Sequence, residues 1–301
     1  MRSTFTGVGT ALITPFTQSG EVDETAVRRL ARRQIDAGVH FLVPCGTTGE
    51  TPTLSDDERR RVVEAVVEEA AGRALVLAGA GGYDTREVAH AARAMEQAGA
   101  NGLLSVTPYY NKPTPEGLYQ HYKAVADSTS LPVVVYNVPG RTGCNVDPAT
   151  LARLATVDRI VGVKEASGNM TQMAEICRIV PKDFLVLCGD DALTLPLMAI
   201  GGRGIISVAS NQAPAEMVQM VEAAERGAFA EARRWHERLL PLMQVNFVES
   251  SPGPVKFAMA AMGLCEAKWR LPMVPPRPAS QEKILTVMRE FGLPIVAGSP
   301  A

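Results

Sequence analysis

Apolar residues along this chain follow two rhythms. Short runs of β-branched and aliphatic residues alternate with longer stretches in which apolar positions recur every three or four residues. The short runs number eight: GVGTALIT from Gly7, HFLVPCG from His40, ALVLAGA from Ala74, GLLSVTP from Gly102, PVVVYNV from Pro132, IVGVKEA from Ile160, FLVLCGD from Phe184 and GIISVAS from Gly204. Each has strand length and is bounded by turn residues. The stretches between them, such as DETAVRRLARRQIDAG and SDDERRRVVEAVVEEAAG, have the amphipathic helical period, and several open on Asp, Ser or Thr and close on Gly. Strand–helix alternation predicts a parallel sheet, and eight such units predict a closed barrel. An open doubly wound sheet is the alternative, but the first strand ends in TPFTQSG, without a glycine-rich phosphate turn. From about Pro214 onward the pattern is helical, interrupted by the proline-rich RLPMVPPRPAS. The expected architecture is an α/β fold, a (β/α)8 TIM barrel over residues 1–226, with a C-terminal helical extension over 227–301 packed on it.

Composition narrows the function. Hydrophobic residues make up 46% of the 301, charged residues 21%, and the formal net charge is -2. Such a chain has ample core and no overall attraction to nucleic acid or to acidic membranes. No run approaches the roughly 18 apolar residues of a membrane span, and the first residues lack the long apolar segment of a secretory signal. The five cysteines are scattered without a C-x-x-C pair, and the four histidines show no ligand spacing. Reduced thiols in the cytoplasm are expected, with no metal site and no cofactor.

One residue breaks the apolar pattern of the sixth run. Lys164 lies near its C-terminal end, where barrel active sites are built. Ile160, Gly162 and Lys164 share one parity, so an inward Lys164 implies an inward Gly162 that leaves room beside it. An ammonium there is poorly solvated, which favours the neutral amine, and a neutral amine attacks carbonyls to form a Schiff base. The competing reading is a lysine paired with Glu165 or reaching to solvent. Tyr136 ends the fifth run at the matching height and suits proton transfer beside such a lysine. Arg141, in the loop that follows, offers a fork for a carboxylate. The second run ends in CGTTGE, where Thr47 and Thr48 supply hydroxyls between glycines, a small anion cradle. The fourth ends in TPYYNKP, with Tyr109 and Tyr110. GGRG, Gly201 to Gly204, precedes a strand and is expected to be structural. Asp190 and Asp191 are expected to cap a helix.

GTTGE, TPYYNKP, YNVPGRTG, GVKEASGN and GDD follow one another at successive predicted strand ends. With the tail FVESSPGPVKFAMAAMGL they resemble the dihydrodipicolinate synthase / N-acetylneuraminate lyase family of Schiff-base-forming pyruvate enzymes. The resemblance spans nearly the whole chain. It implies that Lys164 forms an imine with pyruvate, that Thr47 and Thr48 hold the pyruvate carboxylate, and that Gly189 and Ile206 line the pyruvate pocket. It further implies a proton relay of Tyr136, Thr47 and Tyr110, with Tyr110 supplied by a neighbouring subunit of a homotetramer. Arg141 would hold the carboxylate of L-aspartate 4-semialdehyde, and the product would be 4-hydroxy-tetrahydrodipicolinate, at the start of the diaminopimelate branch of lysine synthesis. Cleavage of a 2-keto-3-deoxy sugar acid or sialic acid is the alternative within the family; a keto-acid sensor is the alternative outside enzymes. The Thr47–Thr48 doublet and Arg141 favour the condensation. By the same resemblance, Asp56, Arg59 and Tyr83 stand where lysine-inhibited members carry other side chains, so feedback by L-lysine is expected to be weak.

Overall fold

The computed structural model describes residues 5–296. All eight expected strands are present: β1 (Gly7–Ala11), β2 (Phe41–Val43), β3 (Leu75–Gly79), β4 (Gly102–Val106), β5 (Val133–Asn137), β6 (Ile160–Glu165), β7 (Leu185–Cys188) and β8 (Gly204–Ser207). They pair in parallel in sequence order, and β8 closes on β1 to complete the barrel. The helices are α1 (Glu24–Asp36), α2 (Asp56–Ala70), α3 (Thr85–Gln97), α4 (Pro115–Asp127), α5 (Pro139–Thr142), α6 (Pro148–Leu154), α7 (Met170–Ile179), α8 (Thr194–Ala199), α9 (Pro214–Glu225), α10 (Phe229–Val245), α11 (Gly253–Ala261) and α12 (Pro278–Phe291). None is long and apolar enough to cross a membrane.

The helices start where the sequence supplies caps. Asp23, Ser55 and Asp84 accept backbone N–H groups of Ala26, Glu58 and Arg86, and Ser55 with Glu58 completes a reciprocal capping box. Two apolar layers result. An inner cluster inside the barrel includes Phe5, Phe41, Leu77, Leu104, Val134, Tyr136, Leu187 and Ile206. An outer cluster lies between strands and helices, and it runs on without a break into Leu239 and Met243 of α10, Phe257 of α11 and Ile284 and Met288 of α12.

The parity expected for β6 holds only in part. Lys164 pairs with Tyr136 and Gly162 with Val134, but Ile160 pairs with Val133, so one residue of β6 is extra. Val161 belongs to the inner cluster and Ile160 to the outer one. A bulge therefore shifts the phase of the strand, and Ile160 does not share the face of Lys164. Nor does Gly162 leave room for the lysine: a Cβ there would lie 2.6 Å from both the Cβ and the carbonyl oxygen of Leu185. Its missing side chain admits β7. GGRG is a close-packing element, since a Cβ on Gly204 would lie 2.0 Å from the carbonyl oxygen of Gly7.

The segment after α11 is tied to the barrel by Arg270. Its guanidinium forks onto Glu58, with Nη2 to Oε1 at 2.5 Å and Nη1 to Oε2 at 2.9 Å, and it also donates to the carbonyls of Gly20 and Thr53. The Arg270 hydrogen bonds pull the Glu58 carboxyl down to about 2. A carboxyl depressed by folding contributes stability above its ordinary pKa and loses it as the pH falls towards the folded value. Glu58→Gln should lower Tm at pH 7 by roughly 3–6 °C, taking ~1.5–3 kcal/mol for the charged hydrogen bond and ~2 °C per kcal/mol. The gap to the native protein should close as the pH falls from about 4.5 to about 2. Thermal melts across that range check it, and a gap independent of pH would disprove the linkage.

Candidate active site

At the C-terminal ends of the strands a cavity of about 270 Å³ opens, with Thr47, Tyr109, Tyr136 and Arg141 among its walls. Lys164 adjoins it through Tyr136. The two residues sit opposite each other on β6 and β5, both are buried, and the lysine Nζ lies 4.2 Å from the centroid of the Tyr136 ring. The competing pairing of Lys164 with Glu165 does not occur. Glu165 points to the other side of the sheet, where it accepts from Asn137 Nδ2 at 2.9 Å and from the backbone of Ser167 at 2.8 Å. Among the described residues no carboxylate lies within ion-pairing distance of Lys164. The lysine is thus held by packing and by the face of an aromatic ring.

Gly189 makes that packing possible. Its backbone N–H donates to the Glu165 carbonyl at 2.8 Å, and a Cβ on it would lie 2.6 Å from Ala166 Cβ and 3.1 Å from Lys164 Cε. Ile206 is fully buried in the inner cluster together with Tyr136. Thr47 opens a single 3₁₀ turn, Thr47–Gly49, that follows β2; Thr48, inside it, is buried. The turn is braced from both sides, by Thr14 Oγ1 on the Gly49 carbonyl at 2.7 Å and by Thr51 Oγ1 on the Gly46 carbonyl at 2.8 Å. Arg141 lies on α5, and its Nη2 donates to the Ser251 carbonyl at 3.1 Å.

Tyr110 is the exception. It is 91% exposed and holds a left-handed backbone, φ 72°, uncommon for a bulky side chain. Its neighbour Tyr109, not Tyr110, lines the chain's own cavity, with its ring edge-on to Tyr83 at 5.2 Å. Burial pushes the Tyr109 hydroxyl pKa up. Arg59 also lines the cavity; its Nη1 is 3.3 Å from Asp56 Oδ1. Of the two aspartates after β7, Asp190 caps the turn that follows by accepting from Ala192 N–H. Asp191 does not cap that turn. It is buried and accepts from Ser207 Oγ at 2.5 Å and from the backbone of Val208 and Ala209. It closes β7 onto β8, and burial pushes its pKa up.

A polar network missed in the sequence stands behind this site. Asn137 Nδ2 donates to Glu165 and to Asn145 Oδ1, and Asn137 Oδ1 accepts from Val146 N–H at 3.0 Å. One buried amide therefore fastens the strand of Tyr136 to the strand of Lys164 and to the far end of the Arg141 loop. The available signal was the pair of adjacent polar residues, YN and KE, at matching heights of neighbouring strands.

A closed parallel barrel with a buried, anion-free lysine beside a tyrosine at its C-terminal face defines a (β/α)8 protein built for chemistry on a small polar ligand. The chain belongs to the Dihydrodipicolinate synthetase family, whose model matches residues 4–290. It is 51% identical over 288 residues to the 4-hydroxy-tetrahydrodipicolinate synthase of Koribacter versatilis, covering 95% of this chain and 96% of that one. With the enzyme of the same name from Chlorobium phaeobacteroides the identity is 50%, covering 95% and 97%. The crystal structure of dihydrodipicolinate synthase from Aquifex aeolicus superposes with a TM-score of 0.95 at 43% identity, covering 97% of this chain and all of the other.

Because a Cβ on Gly189 would crowd the lysine stem and Ala166, Gly189→Ala should slow trapping of a carbonyl ligand on Lys164 roughly ten-fold or more, the equivalent of ~1–3 kcal/mol of overpacking strain. Borohydride trapping with pyruvate measures it, with circular dichroism as the folding control. An unchanged trapping rate would show that the lysine does not depend on this gap.

Proposed function

We propose that this chain condenses pyruvate with L-aspartate 4-semialdehyde to form 4-hydroxy-tetrahydrodipicolinate, the entry to diaminopimelate and lysine synthesis. The observation that carries the reading is the Lys164–Tyr136 pair, buried and face to face beside a cavity that also holds Thr47 and Arg141. The names of its relatives, at about half identity over nearly the whole chain, support it.

The chemistry follows from the residues. The Lys164 nitrogen, its proton passed to a base, adds to the C2 carbonyl of pyruvate; loss of water from the carbinolamine leaves an imine. The imine withdraws electrons, so a methyl proton is released and an enamine forms. The enamine carbon attacks the aldehyde carbon of the second substrate, whose oxygen takes up a proton and becomes the 4-hydroxyl. The substrate's own amino group then attacks the imine carbon, closes the ring and expels the lysine amine. Each step moves a proton, and we assign these transfers to Tyr136, Thr47 and Tyr110 of the partner subunit. Thr47 and Thr48 bind the pyruvate carboxylate with hydroxyl and backbone groups, while Gly189 and Ile206 shape the pyruvate pocket. Arg141 takes the carboxylate of the semialdehyde as a planar fork.

The assembly belongs to the same reading. Tyr110, exposed and strained in a single chain, gains a function only by entering another copy's cavity, and we assign a homotetramer as the working unit. Five unpaired cysteines suit a reducing cytoplasm. The cation of Arg59 beside the cavity opposes a bound lysine ammonium, so weak feedback by L-lysine is part of the proposal.

Incubation with pyruvate and borohydride should leave one reduced pyruvate on Lys164, and Lys164→Ala should take up none. Turnover with L-aspartate 4-semialdehyde should exceed turnover with sialic acid or a 2-keto-3-deoxy sugar acid by at least two orders of magnitude; the reverse order would assign the chain to a cleaving relative. Tyr110→Phe and Lys164→Ala proteins, each inactive alone, should recover activity when mixed under conditions of subunit exchange. Exchange without recovery would place both residues in one chain's own site.

A further inference from the structure

A second lysine is buried more completely than Lys164. Lys256, on α11 of the C-terminal extension, and Glu50, which directly follows the Thr47–Gly49 turn, form an ion pair at 2.6 Å with side-chain exposures of 0% and 0%. The Lys256 Nζ also lies 3.9 Å from the centroid of the Phe16 ring, just after β1, and the Arg270 guanidinium carbon lies 4.4 Å from the same centroid. The second oxygen of Glu50 accepts from the Arg270 backbone N–H at 3.3 Å. Glu50 holds a left-handed backbone, φ 52° and ψ 33°, and its N–H returns to the Thr47 carbonyl at 3.1 Å.

The energetics ask for a role other than stability. A buried ion pair roughly breaks even against an apolar pair of the same size, because desolvation consumes the Coulomb gain. Burial pulls the Lys256 ammonium below the ordinary lysine range, and Glu50 opposes that pull. The backbone strain at Glu50 persists only where its surroundings over-determine it. What charges supply and apolar groups do not is direction: a short hydrogen bond holds the Glu50 carboxylate at one point, and its backbone closes the turn that carries Thr47 and Thr48.

We propose that the Lys256–Glu50 pair is a clamp by which the C-terminal extension positions the carboxylate-binding turn at Thr47 and Thr48. Both residues are positioning residues, and neither touches the reacting atoms. The inference rests on the pyruvate reading given above. It assigns α11 a part in substrate affinity, although α11 lies far along the chain from the barrel strand it serves.

The test replaces both charges at once, so that no unpaired charge stays buried. The double variant E50Q/K256M should fold, with a circular dichroism spectrum like the native one. It should raise the KM for pyruvate at least ten-fold and, because the same turn carries Thr47 of the proton relay, lower kcat at saturating pyruvate by a clearly smaller factor, and saturating pyruvate with borohydride should still label Lys164. E50Q alone keeps an acceptor for Lys256 and should raise the KM by a smaller factor, two-fold to five-fold. It carries the test if the double variant does not fold. A pyruvate KM unchanged in a folded variant, or kcat and pyruvate affinity lost in equal measure, would overturn the clamp. If the native protein itself takes no label from pyruvate, the function reading fails first and the clamp with it; label in the native protein with an unmoved KM in the variant sinks the clamp alone.

Discussion

The pairing of β5 with β6 decides where Lys164 and Tyr136 can be. In a parallel barrel, side chains alternate between the interior and the helix layer, so one residue of slippage reverses a whole strand. Ile160 faces the helix layer; without the bulge at Val161, regular alternation would send Lys164 the same way. The extra residue flips the phase and brings Lys164 level with Tyr136. Gly162 lets β7 close up beside the irregular strand, and Gly189 leaves the lysine stem its space. The Asn137–Glu165 hydrogen bond then locks the two strands from the opposite face. Register, bulge and outward polar lock are parts of one constraint, and the cavity is built on it.

Much of this was legible in the sequence because barrels repeat. Each strand run, each polar cap and each closing glycine recurs with the period of a βα unit, so the elements and their order could be read directly. The strand-end motifs likewise declared themselves, since Thr47, Tyr136, Arg141 and Lys164 all interrupt or follow apolar runs. What was not legible depends on which atoms meet. Nothing in IVGVKE distinguishes a bulged strand from a regular one, so the parity argument placed Ile160 on the wrong face. Nor does the run say that Gly162 makes room for Leu185 instead of the lysine. Asp191 was legible as a strand-end carboxylate, but its partners, Ser207 and the two N–H groups after it, come from the next strand.

The same limit explains the second lysine. PVKFAMAAMG carries a cation in an apolar run as conspicuously as IVGVKEA does, and pattern alone gives the two equal standing. Three-dimensional partners separate them. Lys256 meets the carboxylate of Glu50, contributed from more than two hundred positions earlier in the chain, and the two charges neutralise each other out of water. Lys164 meets the face of a tyrosine and the backbone of a glycine.

That contrast bears on how the fold spends its buried charge. The Lys256 side chain is engaged by the Glu50 carboxylate at 2.6 Å, which makes it a directional tie. Lys164, packed against the Tyr136 ring with no anion beside it among the described residues, has no ion pair to break before its amine can form a bond. The two lysines are therefore connected in consequence as well as in type. One braces the turn that would hold a carboxylate, and the other stands where the adjacent carbonyl would have to come. The two meet at the Thr47–Gly49 turn, which Glu50 closes through its N–H and which presents Thr47 to the same cavity as Tyr136, so a shift of that turn would be felt on both sides.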